Sequence, residues 1–143
     1  MTPEENKTVL RRLFDEALNT RKYELAAQFL TPDFIRHDVF RVFPDRSGPN
    51  GVNEHMSLLN AAIPDLKVDI VDILSEGDRV CIRYVGTGTH TGELLGRPAT
   101  GKPVRLEGVN IYRMADGKVA ETWQFMDGLG FLRLIDAIPP EYK

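Results

Sequence analysis

The chain has 143 residues, which is long enough for one domain with one hydrophobic core and too short for two. Hydrophobic residues make up 42% and charged residues 27%, as in ordinary globular proteins, and the formal net charge of −3 comes without a basic stripe, which argues against nucleic-acid binding. The single cysteine, Cys81, excludes a disulfide within the chain and favours a reducing cytoplasm. The N-terminus lacks the apolar segment of a secretory signal, and no apolar run approaches the ~20 residues of a membrane span. We therefore expect one cytoplasmic domain over residues 1–143, with neither a membrane nor a nucleic-acid partner.

The first half of the chain predicts three helices. Thr2, Pro3 and Glu5 form a capping-box start, and apolar residues then recur at helical spacing as far as Leu18. A short second helix is predicted over residues 23–30, ending before Pro32. A third runs from a possible cap at Asn50 to residue 62. The segment between the second and third helices reads as an extended strand over residues 33–42 and then a loop.

The second half changes to a strand pattern. Strands are predicted over residues 66–74, 79–90, 103–114 and 119–126, with a short helix over residues 128–137. Asp116-Gly117 is the strongest hairpin signal. Helices followed by a meander of strands imply an α+β fold, in which helices pack on one face of a curved sheet and a pocket lies between them. Because residues alternate faces along a strand, Tyr84, Asn110 and Gln124 are predicted to face that pocket.

Several short motifs occur in a characteristic order along the chain. They are IPDL at residues 63–66, EGDRV at 76–80, GTHTGE at 88–93, GRPATGK at 96–102, DGKV at 116–119 and ETW at 121–123. Their order and spacing resemble the SnoaL-like polyketide cyclases, a family within the nuclear transport factor 2-like superfamily, from about residue 6 to residue 135. The resemblance implies a cone-shaped α+β barrel with N-terminal helices on a strongly curved mixed or antiparallel sheet.

The resemblance also implies a chemistry. Family cyclases use an aspartate as general base in an intramolecular aldol condensation, without metal or organic cofactor. By alignment, that aspartate falls at Gln124, and a family histidine falls at Asn110. An amide cannot accept a proton at neutral pH, so both titratable groups are replaced. We expect the two amides either to donate hydrogen bonds to an enolate oxygen or to satisfy each other. A shift of register would instead bring Asp127 to the pocket, although a helix N-cap is its ordinary role.

His37 and Asp38 follow the second helix. A histidine there recurs in SnoaL-like chains, and an aspartate on this segment is catalytic in related epoxide hydrolases and in a pyran-forming cyclase. Adjacent strand residues face opposite ways, so only one of the two can point inward. We predict that His37 points inward as the general base and that Asp38 is at the surface. The structural alternative for His37 is a hydrogen-bonded core histidine.

Further residues are candidates for substrate contact. Phe14 and Met56 lie on the apolar sides of the first and third helices, and Tyr84 lies on the inner face of its strand. His90 either lines the pocket rim or orients the adjacent loop, and Trp123 either stacks on a flat ligand or is a core residue. The three histidines show no metal-ligand spacing, so we expect no metal and no other cofactor.

The leading hypothesis for function is a cofactor-independent cyclase acting by acid–base chemistry on a hydrophobic, polyketide-like small molecule. An epoxide hydrolase or ether-forming cyclase using Asp38, or a cofactor-free hydroxylase of the same fold, is the enzymatic alternative. A non-catalytic ligand-binding or dimerisation module is the third reading. The outer sheet face, including Cys81 and Val85, needs cover, which predicts a homodimer.

Overall fold

The computed structural model describes residues 1–142, with nothing described for the side chain of residue 140. The helices are α1 (Pro3–Arg12), which continues as a π-helical turn (Leu13–Leu18), a 3₁₀ helix (Tyr23–Phe29), α2 (Gly51–Ala62), α3 (Gly128–Leu134) and a terminal 3₁₀ turn (Pro140–Tyr142). The strands are β1 (Leu30–Asp38), β2 (Arg46–Ser47), β3 (Lys67–Glu76), β4 (Arg79–Thr89), β5 (Pro103–Ala115) and β6 (Lys118–Met126). No helix in residues 1–142 is both long enough and apolar enough to cross a membrane.

All six strands form one sheet in the order β2-β1-β6-β5-β4-β3. Only the β1–β6 pair is parallel among these neighbours, so the sheet is mixed. The predicted α+β class, with helices against one face of a mixed sheet, is confirmed. The sheet does not close into a complete barrel, because β2 and β3 remain as its two edges.

Local signals fix the ends of several elements. Thr2 and Glu5 form the predicted capping box, and Asp116-Gly117 forms the predicted hairpin turn with positive φ angles of 52° and 76°. Asn50 makes no side-chain capping bond to α2, contrary to expectation. The extended segment is also shorter than predicted at its end. It stops at Asp38, because the chain turns there with Arg41 at φ 56° and its N–H bonded to the Asp38 carbonyl.

The sheet has an inner face toward the helices and an outer face away from them. On β4, β5 and β6 the predicted alternation is confirmed: the inner residues include Tyr84, Asn110 and Gln124, and all three are buried. On β1 the alternation has the opposite phase from the one predicted. Phe34 is buried with 1% of its surface exposed, whereas Ile35 is 40% exposed. The apolar Phe34 therefore sets the inner face of β1, and every second residue after it points the same way.

Candidate active site

A cavity lies between the inner face of the sheet and the first two α-helices. Its volume is about 90 Å³, enough for several water molecules at roughly 10–15 Å³ each. Its walls are mainly apolar side chains, among them the predicted contacts Phe14 and Met56. The polar residues that line it are Arg36, His55, Tyr84, Asn110, Tyr112, Thr122 and Gln124.

Strand register places the polar residues in two rows across the inner face. Asn110 on β5 pairs with Gln124 on β6, and Gln124 pairs with Asp38 on β1. One step along the strands, Tyr112 pairs with Thr122, which pairs with Arg36. Directly opposed residues in neighbouring strands have side chains within contact distance. The sheet therefore presents a compact polar patch at one end of an otherwise apolar chamber.

A directed chain of hydrogen bonds runs from Arg36 through Gln124 to Tyr84. Arg36 Nη2 donates to Gln124 Oε1, and Gln124 Nε2 donates to the Tyr84 hydroxyl oxygen at 3.1 Å. The amide orientation is fixed because a guanidinium can only donate. Tyr84 is thus the acceptor in this bond, and its own O–H proton remains available. Burial raises the pKa of Tyr84 to about 12, which keeps the hydroxyl protonated as a donor.

Asn110 and Tyr112 form a second, similar pair. Asn110 Nδ2 donates to the Tyr112 hydroxyl oxygen at 2.8 Å, so this hydroxyl also keeps its proton for another partner. Burial raises the pKa of Tyr112 as well. Asn110 Oδ1 is buried and has no hydrogen-bond partner among residues 1–142. The two amides, Asn110 and Gln124, therefore do not satisfy each other, and each instead orients a tyrosine.

Gly108 makes the position of Tyr84 possible. The two residues pair directly between β4 and β5, and a Cβ at Gly108 would lie 2.6 Å from the Tyr84 hydroxyl oxygen. It would also lie 2.7 Å from the Phe125 carbonyl oxygen, which is backbone and cannot rotate away. Only glycine lets the tyrosine ring lie across the sheet toward Gln124.

Arg36 is the cationic centre of the patch. Its side chain is 5% exposed, and its Nη2 lies 3.6 Å from Asp38 Oδ1, which is an ion pair but too long for a hydrogen bond. Its Nη1 has no hydrogen-bond partner among residues 1–142. Burial lowers the pKa of Arg36, and the nearby Asp38 carboxylate acts in the opposite direction. The guanidinium is thus charged, buried and only partly compensated.

His55, on α2, contacts the same guanidinium. Arg36 Nη2 lies 3.1 Å from His55 Nε2, which must accept because arginine cannot. Burial, reinforced by the charges of Arg36 and Arg46, holds the pKa of His55 well below its usual range. The ring is therefore neutral, with its proton on Nδ1, and that atom is buried without a partner in the described chain.

Asp38 is the one carboxylate among the buried polar residues of the described chain, with 4% of its surface exposed. The Phe43 N–H donates to its Oδ2 at 2.9 Å. Its Oδ1 faces the Arg36 ion pair. The prediction that Asp38 lies at the surface is wrong. It lies next to Arg36 and opposite Gln124, two residues that line the cavity, and its carboxylate is a proton acceptor that does not itself line the cavity.

The prediction that His37 points inward is also wrong. His37 is on the outer face of β1, where its Nε2 lies 2.6 Å from Glu121 Oε2 and its ring stacks on Trp123. Its side chain is 30% exposed and lines no part of the cavity. The physical reason is strand parity: with Phe34 in the core, Arg36 and Asp38 must share its face and His37 cannot.

Three more candidate residues, two proposed for substrate contact and one as an alternative base, lie away from the cavity. Trp123 is on the outer face, with the Arg79 guanidinium 5.1 Å above its ring. Asp127 caps α3, accepting from the Gly130 N–H at 3.0 Å, so it has the ordinary role anticipated for it. His90 is fully buried, and its Nδ1 accepts from the Thr100 N–H at 3.2 Å, which orients the loop after β4.

Arg36 and His55 are the cavity-lining polar residues of the candidate site that sequence reasoning missed. Alternation from Phe34 would have placed Arg36 inward, since the two are separated by one residue. His55 lies three residues after Val52 and four before Leu59, on the stripe of α2 that faces the cavity. No signal local to either residue indicated that the two would meet.

Among residues 1–142 no group of three or more histidine, cysteine, aspartate or glutamate side chains is arranged to hold a metal ion. The polar groups that line the cavity are instead a guanidinium, an imidazole, two amides, two phenols and a threonine hydroxyl, and the Asp38 carboxylate lies next to Arg36 without lining the cavity itself. Such a set can transfer a proton and stabilise a developing oxyanion.

Comparison with known proteins identifies the family. Residues 8–135 match the family of SnoaL-like polyketide cyclases. The aklanonic acid methyl ester cyclase DnrD of Streptomyces peucetius is 27% identical over 126 residues, covering 87% of this chain and 86% of that protein. The nogalonic acid methyl ester cyclase of Streptomyces nogalater is 25% identical over 118 residues, covering 82% of this chain and 87% of that protein. The crystal structure of AclR from Streptomyces galilaeus superposes with a TM-score of 0.83 at 27% identity, covering 96% of this chain and all of that one. The motifs, the fold and these likenesses agree, and the chain belongs to the SnoaL-like polyketide cyclase family.

Proposed function

We propose that this protein catalyses an intramolecular ring closure of a small polyketide-like molecule through an enolate, without a cofactor. The observation that carries the proposal is the buried Arg36–Asp38 pair beside an apolar cavity, with Gln124 linking it to a phenol. The inner face is not lined by apolar groups alone, which supports catalysis over a passive binding module. The methyl ester cyclases among the relatives support the same class of reaction.

The proposed reaction begins with proton removal by Asp38. The carboxylate takes the acidic proton from a carbon between two carbonyl groups, and the electron pair of that bond moves to an oxygen as an enolate. Asp38 becomes neutral as the enolate becomes negative, so Arg36 exchanges one counter-charge for another. The buried charge is the same before and after the step, which avoids the cost of an uncompensated ion in the cavity.

Ring closure follows from the enolate carbon. It attacks a second carbonyl carbon of the same molecule, the new carbon–carbon bond forms, and the resulting alkoxide takes back the proton from Asp38. The hydroxyls of Tyr84 and Tyr112 donate to the carbonyl oxygens during both steps. The product is an isomer of the substrate, so no oxidant, reductant or second substrate is consumed.

Gln124 and Asn110 have a positioning role in this scheme. Each donates to a tyrosine oxygen and thereby directs the O–H proton elsewhere. Gln124 also accepts from Arg36, which polarises the Tyr84 hydroxyl through the chain of hydrogen bonds. The family base is thus replaced by a residue that holds the oxyanion donors, and Asp38 on a different strand takes the proton.

The test is an assay of the wild-type protein in D₂O with an aromatic polyketide methyl ester bearing a β-keto ester side chain. Proton transfer at the carbon between the carbonyls predicts enzyme-dependent deuterium incorporation there, and cyclisation predicts a product of unchanged elemental composition. Both are read by mass spectrometry and NMR, with a chelator present throughout. Neither exchange nor cyclisation above the uncatalysed rate across a series of such esters would reject the proposal.

A second candidate is supported by the inward position of Asp38. A buried carboxylate beside two protonated phenols can activate a hydroxyl group while a phenol protonates the oxygen of an opening epoxide. The outcome would be a carbon–oxygen bond. An epoxy-alcohol substrate distinguishes the two, because only this chemistry forms a cyclic ether from it.

We also propose that the protein is a cytoplasmic homodimer that uses the outer face of the sheet. Val39 is 41% exposed and Phe125 37%, and the Val39 N–H bond to the Gln124 carbonyl places the two next to each other; Ile35, 40% exposed, lies four residues before Val39 on the same side, opposite Glu121. Exposed apolar side chains grouped on one face support an interaction surface there. A monomeric mass by light scattering at micromolar concentration would contradict the dimer.

A further inference from the structure

A second depression, which we call the outer groove, lies next to the cavity between the π-helical turn and the edge strand β3. Its volume is about 240 Å³. Two of its lining residues, Phe14 and Val68, also line the cavity, so their side chains form the wall between the two spaces. Phe14 is buried and Val68 is half-buried. The other residues that line the outer groove are Arg11, Asp15, Asn19, Asp69 and Ile70.

The cavity by itself is too small for a ligand with several rings. An apolar protein cavity of about 150 Å³ takes up one benzene molecule. The cavity here has a volume of about 90 Å³, so it holds one ring at most. Any further ring of the same ligand must lie outside the cavity. The outer groove begins where the cavity ends, at Phe14 and Val68, and therefore offers the space for it.

Asn19 fixes the backbone on both sides of the wall between the two spaces. Its side-chain Nδ2 donates to the Val68 carbonyl at 2.8 Å, and the Val68 N–H donates to its Oδ1 at 2.8 Å. Its backbone N–H donates to the Phe14 carbonyl at 2.9 Å, which closes the wide π-helical turn. Because the backbone is held at both residues, rotation of the two side chains is enough to join the cavity to the outer groove.

The outer groove is polar, whereas the cavity walls are mainly apolar. Asp15 on the π-helical turn and Asp69 on β3 both carry exposed carboxylates. Asp69 lies 3.5 Å from Lys67, but this pair is exposed and therefore weak. A carboxylate only accepts hydrogen bonds, so the group that suits the outer groove is a neutral donor such as a hydroxyl. Two carboxylates against the single guanidinium of Arg11 disfavour an anionic group there.

We propose that the ligand-binding site continues past Phe14 and Val68 into the outer groove and takes hydroxylated fused-ring aromatic molecules. One ring lies in the cavity and meets its polar patch. The next ring passes between Phe14 and Val68, and its hydroxyl donates to Asp15 or Asp69 in the outer groove. The inference rests on the proposed function for the polycyclic character of the ligand, but it concerns binding alone and needs no turnover.

The test is calorimetric titration of the wild-type protein at neutral pH with four uncharged ligands. They are phenol, 2-naphthol, 6-methoxy-2-naphthol and 2,6-dihydroxynaphthalene. We expect 2-naphthol to bind more tightly than phenol, because its second ring buries further apolar surface between Phe14 and Val68. The dihydroxy compound should bind about tenfold more tightly than 2-naphthol, because its second hydroxyl donates to a carboxylate. The methoxy compound has a similar shape but cannot donate there, so it should lack this gain.

Two double variants complete the experiment. Asp15→Ala with Asp69→Ala removes both carboxylates of the outer groove and should abolish the gain from the second hydroxyl. Glu16→Ala with Asp72→Ala is the matched control, because it makes the same change of charge on the same two elements, at exposed residues that do not line the outer groove. The control should keep the gain. Phenol should bind equally to all three proteins, and circular dichroism checks that both variants are folded.

Naphthols that bind no better than phenol, or that do not bind to the wild type, would overturn the inference. A gain from the second hydroxyl that persists without Asp15 and Asp69, or that is lost equally in the control, would overturn the assignment to the outer groove. These outcomes are separate from the fate of the proposed function. A protein that cyclises the keto ester but shows no preference among these ligands keeps its function and loses the inference. One that shows the preference but never exchanges or cyclises an ester does the reverse.

Discussion

The two faces of strands β1 and β6 carry polar clusters that differ in one respect above all, which is how completely their members are paired. On the outer face, His37 lies 2.6 Å from Glu121, and Arg113 donates to the same carboxylate at 3.2 Å. Glu121 is 21% exposed, and its hydrogen bond with His37 lowers the pKa of its carboxyl. Such half-exposed ion pairs are hydrated and contribute little to stability.

The inner face also holds an arginine and a carboxylate, with a histidine of α2 beside them, but these side chains are buried and incompletely paired. Arg36 and Asp38 are buried, their contact is longer than a hydrogen bond, and atoms of Arg36, His55 and Asn110 have no partner within residues 1–142. Burying polar groups without partners costs about 1–3 kcal/mol each, so a fold keeps them only where something else is gained. The comparison teaches that composition and proximity do not mark an active site. Incomplete pairing inside a buried cavity is what distinguishes the candidate site.

The sharpest test exchanges one carboxylate on each face. Asp38→Asn removes the proposed proton acceptor with little change in shape, and we expect a loss of about 10²–10⁴-fold in kcat/KM. Glu121→Gln makes the same chemical change on the outer face and should alter kcat/KM by no more than about threefold, because surface substitutions of this kind have small effects. Steady-state kinetics on one cyclised substrate measures both. Equal losses in the two variants would mean that the faces do not differ in function.

A second test alters the inner face without replacing any of its polar residues. Gly108→Ala places a Cβ against the Tyr84 hydroxyl and the Phe125 carbonyl, so we expect a loss of about 1–3 kcal/mol in the free energy of unfolding. We also expect lower activity, because Tyr84 is displaced.

Gly86→Ala on the neighbouring strand is the matched control for that substitution. Its new Cβ would meet its nearest neighbour at 3.4 Å, an ordinary contact, and we expect a change within about 1 kcal/mol of the wild type. Urea denaturation measures both variants. If both variants lose the same free energy of unfolding, the close approach of Tyr84 to Gly108 does not explain why position 108 requires glycine.

The smallest expected effect is a change in the free energy of unfolding with pH, caused by His55 on the inner side of the cavity. The pKa of His55 is held well below its usual range in the native state, whereas the unfolded chain binds a proton below about pH 6.5. The unfolded state then holds more protons, so the free energy of unfolding should fall as the pH is lowered through this range. The lowered pKa values of Glu121 and Asp45 act only at lower pH, near their unfolded values of about 4.

Replacing His55 isolates its contribution. In His55→Gln we expect the dependence between about pH 6.5 and 5 to flatten, because no group at this position titrates there. Urea denaturation at several pH values measures it. An unchanged slope in the variant would show that His55 does not carry the effect.

The sequence by itself determined much of the β4–β6 region. Asp116-Gly117 fixed the hairpin, and alternation from it placed Asn110 and Gln124 on the inner face beside Tyr84. These relations are local, since the register of a hairpin depends on its turn and on a two-residue period. Apolar spacing on α1 and α2 likewise placed Phe14 and Met56 at the cavity, because a helix that buries one stripe must turn it toward the core.

Only the tertiary structure decided which of His37 and Asp38 lies on the inner face of the sheet. Alternation shows that His37 and Asp38 face opposite ways, but it does not show which side of β1 meets the core. That choice is made when β1 pairs in parallel with β6, a strand far along the chain, so that Phe34 is buried. The Arg36–Gln124 contact joins residues 88 positions apart, and the Arg36–His55 contact joins a strand to a helix. Packing between distant elements sets both contacts, and no local pattern of residues encodes them.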